Sequence, residues 1–270
     1  MQRISMPELP EVETIKNALL PLVRGRNIKQ VDVIWPGSIS RPAAPRFKSY
    51  LAGKTIADIF RRGKYIYFLL SDGKFLFFHL GMTGQLLWNS NNKYTRVEFT
   101  FDSWDKLVFS DKRKFGHLWL AEKREEITDP LGPEALGELS AEILFSRLEG
   151  RKAPVKALLL DQTFIAGLGN MYADEALFSA GIHPMRPGAE ITREEAERLY
   201  KAIEDTLNMG IKHRGATTMD YRDPQGKKGN AQDFFWVAHR AGQPCKRCFA
   251  LIEKVKIRGR TSCYCPLCQS

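Results

Sequence analysis

Four cysteines carry the most specific spacing in the chain. Cys245 and Cys248 are separated by two residues, as are Cys265 and Cys268, and sixteen residues lie between the pairs. A short loop of this kind can turn two thiolates toward one ion, and the intervening stretch suits a β-hairpin that brings the pairs together. This is the spacing of a closed tetrahedral zinc site. All five cysteines fall within residues 245–268, and Met1–Ser5 shows no apolar stretch of a signal peptide, so a disulfide framework is the weaker reading. Four thiolates leave no open position, which makes the expected Zn²⁺ structural. Cys263 is left over, a small residue on the hairpin.

That hairpin carries Lys254, Lys256, Arg258 and Arg260, with Arg258-Gly259-Arg260 at its tip or an adjacent bend. A planar guanidinium on a rigid projection suits phosphate. The net charge of +10 is unevenly spread: residues 1–120 carry +9, residues 121–210 carry −7 and residues 211–270 carry +8. Two basic segments around an acidic one favour a polyanionic partner. The longest apolar runs, such as Phe75–Phe78, are far too short to span a bilayer, so no membrane partner is expected.

The elements that must position these groups fall into two textures. Residues 9–25 read as a helix, with Pro10 in its first turn, Glu11 and Glu13 at its positive end and Gly25 as its stop. Ile28–Trp35, Tyr65–Leu70, Phe75–Leu80, Arg96–Phe101 and Leu107–Ser110 are short, aromatic and β-branched, and Ser71-Asp72-Gly73-Lys74 is a hairpin signal. Together they predict an antiparallel β-sandwich. Asp129–Pro133 is a stiff linker, and Ser140–Leu148, Ala153–Leu160, Met171–Ala180 and Thr192–Met209 then have helical pattern. Ser140 and Thr192 are N-cap candidates, and Thr192 with Glu195 fits a capping box. Residues 214–233 form a long polar loop, a feature that is usually functional or disordered.

With the cysteine cluster, Met6-Pro7-Glu8-Leu9-Pro10-Glu11 resembles the start of the formamidopyrimidine-DNA glycosylase family. The resemblance continues through His79-Leu80-Gly81-Met82-Thr83-Gly84, Asp111-Lys112-Arg113-Lys114-Phe115-Gly116, Asp129–Glu134 and Gly167–Phe178 to Tyr264–Gln269. It implies an α+β fold: an N-terminal antiparallel β-sandwich with an N-terminal helix, then a helical helix–two-turn–helix domain with a zinc-finger β-hairpin. The expected divisions are 6–121, a linker 122–136, 137–233 and 234–270.

The resemblance also implies the chemistry. A bifunctional glycosylase/AP lyase excises oxidised purines and cleaves the strand by β,δ-elimination, with the secondary amine of Pro7 forming an iminium at the sugar C1′. Glu8 is the neighbouring acid/base, and Lys64 and Arg260 complete the catalytic set. Met82, Arg113, Phe115, Lys156, Asn170 and Arg258 contact DNA, Asn170 also capping its helix. The first three fill the gap left when the damaged nucleotide is flipped out. Thr217, Thr218 and Tyr221 lie in the loop over the damaged base. Ala216 stands where the family has Gly, and Val237-Ala238-His239-Arg240 where it has Val-Tyr-Gly-Arg. An amide nitrogen cannot be the nucleophile, since its lone pair is delocalised, so the mature chain is expected to begin at Pro7. The alternatives are an oxidised-pyrimidine glycosylase of the endonuclease VIII type, or a non-catalytic lesion-binding protein if Pro7 stays blocked. The expected partner is damaged double-stranded DNA, bound by a monomer in the cytoplasm at the nucleoid.

Overall fold

The computed structural model describes residues 6–270. The expectation about the mature start rests on Met1–Ser5, which lie outside the described residues. The chain forms two units: residues up to Asp129 together with Arg214–Gly229, and Pro130–His213 together with Asn230–Ser270.

The first unit opens with α1 (Leu9–Val23), whose Val12, Ile15, Leu19 and Val23 recur at helical spacing and are buried. The helix stops two residues short of the expected end, because Gly25 turns into the left-handed region at φ 78° and its N–H bonds to Ile56 O at 2.8 Å. Nine strands follow: β1 (Ile28–Val33), β2 (Ile39–Arg41), β3 (Ile56–Arg62), β4 (Tyr65–Leu70), β5 (Phe75–His79), β6 (Gly84–Trp88), β7 (Thr95–Phe101), β8 (Lys106–Asp111) and β9 (His117–Ala121). They make two sheets, ordered β1-β7-β8-β6 and β2-β9-β5-β4-β3. All neighbours are antiparallel except β2 and β9, whose pairing is parallel, a departure from the purely antiparallel expectation. A helix between β2 and β3, α2 (Ala44–Leu51), and the short α3 (Glu125–Thr128) complete the set.

The sandwich core is aromatic. Phe78 of β5 meets Phe99 of β7 edge-on at 5.9 Å, and Phe47 of α2 meets Phe99 at 6.5 Å. All three are buried, and each contributes roughly 1.5–3 kcal/mol by leaving water.

The second unit is helical: α4 (Ala141–Leu148), α5 (Val155–Leu159), α6 (Asn170–Ala180) and α7 (Arg193–Lys212). Ser140 caps α4 by accepting from Ile143 N at 3.2 Å. Thr192 and Glu195 form the expected capping box on α7. The chain ends in the hairpin β10 (Glu253–Ile257) and β11 (Arg260–Tyr264). Its two turn residues, Arg258 and Gly259, have φ of 44° and 76°, the all-positive turn that matches strand twist. No helix of the described residues is long and apolar enough to cross a membrane.

Candidate functional site

Within the first unit, Pro7 and Glu8 lead into α1, both buried. Glu11, one turn further, is 1% exposed. Its Oε2 accepts from Glu8 N at 2.8 Å and its Oε1 from Ala216 N at 2.7 Å. A carboxylate read from sequence only as a favourable charge at a helix start therefore holds two backbone segments.

The loop 214–229 is tied at several further points. Asp223, buried, pairs with Arg214 and accepts from Gln225 N at 3.0 Å and Lys227 N at 2.9 Å. Trp88 N donates to Pro224 O at 2.8 Å. Thr217 Oγ1 accepts from Gly229 N at 3.0 Å and donates to Tyr221 O at 3.2 Å. Thr218 is half-buried. The Tyr221 ring packs on the sandwich core with its hydroxyl 3.5 Å from Glu11 O. Burial, with the Glu11 charge beside it, raises its phenol well above the ordinary value.

Lys64 is buried in the tight turn between β3 and β4, where Gly63 has φ 55°. His79 lies on β5 opposite Tyr65, next to Lys64 in sequence. Burial, then the charges of Lys64 and His117, push its imidazole down to about 4.

Met82 sits in the loop before β6, and Arg113 and Phe115 in the loop after β8. Phe115 is 48% exposed, although it is large and apolar. The Arg113 guanidinium lies 4.8 Å from the centre of its ring. Asp111, wholly buried at the end of β8, accepts from Arg113 N at 3.1 Å and Gly116 N at 2.7 Å. Thr83 donates to the same carboxylate. The sequence motifs contained Asp111, Thr83, Glu11 and Asp174, but their roles were missed; each is a polar residue inside a quoted motif, and its burial was the missing signal.

In the second unit, one expectation is corrected. Asn170 does not cap α6; Gly169 is the N-cap, and Asn170 opens the helix with its Nδ2 donating to Thr261 O at 3.0 Å. Lys156 faces no solvent. It is wholly buried, its ammonium paired with Asp174 and 3.2 Å from Asn170 O. Asp174 also accepts from Ser262 Oγ and, at 3.0 Å, from Cys263 N. Asp174 thus ties α6 both to Lys156 of α5 and to the hairpin whose exposed tip carries Arg258 and Arg260. Glu175 accepts from Trp236, Val237 and Ala238 N at 2.7–2.8 Å, seating the segment before the cysteines. His239, at the family's Gly position, has φ 63°, a conformation glycine adopts at less cost.

The Sγ atoms of Cys245, Cys248, Cys265 and Cys268 lie within 4.8 Å of one another, with Cys248–Cys265 at 3.3 Å and Cys245–Cys268 at 4.0 Å. Thiolates around one Zn²⁺ at about 2.3 Å sit roughly 3.8 Å apart, so the donor set fits the ion. The four cysteines would hold the ion, which would join the two ends of the hairpin that carries Arg258 and Arg260.

Three segments of the chain match known families, in order. Residues 6–118 match the formamidopyrimidine-DNA glycosylase N-terminal domain, residues 131–222 its H2TH domain, and residues 242–270 the zinc finger found in FPG and IleRS. A formamidopyrimidine-DNA glycosylase of Pelotomaculum thermopropionicum is 45% identical, over 98% of this chain and 99% of its own. The MutM (Fpg) protein of Thermus thermophilus superposes with a TM-score of 0.90 at 39% identity, covering 97% of this chain and 98% of its own. The Lactococcus lactis protein in complex with Fapy-dG-containing DNA superposes with a TM-score of 0.90 at 31% identity, covering 97% of this chain and 100% of its own.

Proposed function

The chain belongs to the formamidopyrimidine-DNA glycosylase family, and from that membership we propose how its residues divide the work. It is a DNA glycosylase of base excision repair with AP lyase activity, acting on oxidised purines in damaged DNA. The observation that carries this reading is the match of three family segments, in order, along the chain.

Pro7 is the nucleophile. Its nitrogen, as a secondary amine, attacks C1′; the bond from C1′ to the base breaks, and the base leaves with a proton. The C1′–O4′ bond then breaks as O4′ takes a proton, which opens the sugar and leaves the iminium; loss of a C2′ proton expels the 3′ phosphate, and loss of a C4′ proton expels the 5′ phosphate. An α-amine with a reference pKa of about 7.7–8.0 is partly neutral near pH 7. Glu8 moves the protons at this centre, and Lys64 and Arg260 are the further catalytic residues. Met82, Arg113 and Phe115 fill the space of the extruded nucleotide. Phe115 suits that task because it is exposed beside a cation on a pinned loop. Thr217, Thr218 and Tyr221 belong to the segment that closes over the base. Arg258 takes backbone phosphate, while Lys156 and Asn170 support the interface by holding α6 against the hairpin. The enzyme works as a monomer at the nucleoid.

Borohydride trapping tests this. With matched duplexes bearing 8-oxoguanine or thymine glycol, the expected result is a covalent adduct at Pro7, formed faster with 8-oxoguanine. Intact mass should show the active protein beginning at Pro7. DNA binding without trapping, or full activity with Met1–Ser5 retained, would overturn the assignment.

A further inference from the structure

We propose that the hydroxyl of Thr83 is a positioning group that makes the two gap-filling loops move as one body. The inference rests on the reading of Met82, Arg113 and Phe115 as the residues that occupy the vacated space.

The two loops leave adjacent strands at one level, since Gly84 of β6 pairs with Asp111 of β8. Thr83, 6% exposed, bridges them. Its Oγ1 donates to Asp111 Oδ1 at 2.5 Å and accepts from Arg113 N at 3.0 Å. A hydroxyl can do both at once, and an apolar side chain of the same shape can do neither. The backbones also touch. Gly81 has φ 60°, and a Cβ there would fall 2.6 Å from the carbonyl carbon and oxygen of Phe115. Met82 is therefore fixed on one side of the bridge, and Arg113 and Phe115 on the other.

Rigid coupling matters because extrusion of a stacked, paired nucleotide is unfavourable until its place is filled. If the three side chains moved independently, each would lose conformational freedom on insertion. Without the hydroxyl, Arg113 N keeps its 3.1 Å bond to Asp111, so the Arg113 loop stays attached while its hydrogen-bonded link to the Met82 loop is lost and only the backbone packing at Gly81 remains. The defect should then track the difficulty of extrusion.

The test compares single-turnover excision by Thr83→Val and Thr83→Ser on two substrates. In one, 8-oxoguanine is paired with cytosine; in the other it lies in an unpaired bulge, where extrusion is easy. Thr83→Val should lose about three- to tenfold on the paired lesion, the factor that a buried hydrogen bond carries, and less than twofold on the bulge. Thr83→Ser should restore the paired rate. Equal losses on both substrates, no loss on the paired lesion, or failure of serine to rescue would overturn the inference. Thr83→Ala provides the same comparison if valine is not accommodated. Phe115→Ala is run alongside: no loss on the paired lesion sinks the gap-filling reading itself, whereas a paired-selective loss for Phe115→Ala but not Thr83→Val sinks the coupling alone.

Discussion

The carboxylate of Glu11 and the backbone N–H of Ala216 meet at 2.7 Å across 205 residues of chain. The other oxygen of the same carboxylate holds Glu8 N. One buried acid therefore fastens both the segment bearing Pro7 and Glu8 and the loop bearing Thr217, Thr218 and Tyr221. Gly215 permits the approach: its φ is 77°, and a Cβ would lie 2.8 Å from Glu11 Oε1. Any larger residue there meets both strain and a clash.

Glu11→Gln is close in shape but wrong in chemistry. Both backbone partners are donors, and an amide presents one acceptor and one donor group. One buried N–H is left facing another, at a cost of about 1–3 kcal/mol. Thermal melting should fall accordingly, and base excision should drop at least about fivefold, the rate factor of the lower limit. Unchanged melting and excision would mean the two contacts are incidental.

Zinc removal should act on DNA binding through the hairpin. Cys265→Ser, or chelation of the parent protein, frees one end of β11 and with it the setting of Arg258 and Arg260. Duplex affinity should weaken, and the slope of log affinity against log salt should become shallower by about two if both arginines contact phosphate. Fluorescence anisotropy across a salt series measures this; a slope unaltered by zinc loss would separate the ion from the interface.

His79 sets an acid limit on stability. Its imidazole is held down to about 4 when folded, against about 6.5 in an unfolded chain. Above the unfolded value neither state carries the proton, and the contribution is complete. As pH falls from about 6.5 toward 4, the unfolded state takes up the proton first and stability is lost, by up to about 1.4 kcal/mol per pH unit. His79→Gln should flatten that part of the profile in urea unfolding at several pH values. Parallel profiles for parent and variant would assign the acid sensitivity to other groups.

What could be read in advance depended on the range of the signal. The cysteine pairs, the Thr192–Glu195 box and the Ser71–Lys74 turn are local, and the structure bears them out. β2, β3, β6 and β9 were missed: Ile39–Arg41 is only three residues long, Gly84–Trp88 and His117–Ala121 are only five and abut the Gly-containing motif loops, and Ile56–Arg62 ends in two arginines. Around α2, Pro42 and Pro45 interrupt the pattern, and the sequence carried no helical reading there. The parallel β2–β9 contact joins residues far apart in the chain, and nothing within three residues of β2 encodes it. Lys156 shows the same limit. The resemblance implied a DNA contact for it, and nothing local showed that its counter-charge is Asp174, 18 residues on. Only the fold reveals that the two neutralise each other out of water.

The discontinuity of the first unit also matters for how the protein is made. Arg214–Gly229 belongs with the residues before Asp129, so the sandwich cannot be completed until residues 130–213 have all been synthesised. At about 5–20 residues per second, that leaves an interval on the order of ten seconds. During it Tyr221 is missing from the core it will pack against, and Glu11 lacks one of its donors. The nascent amino-terminal half is thus exposed to aggregation and proteolysis for that time, and a fragment ending at Asp129 would remain permanently in the same unfinished state.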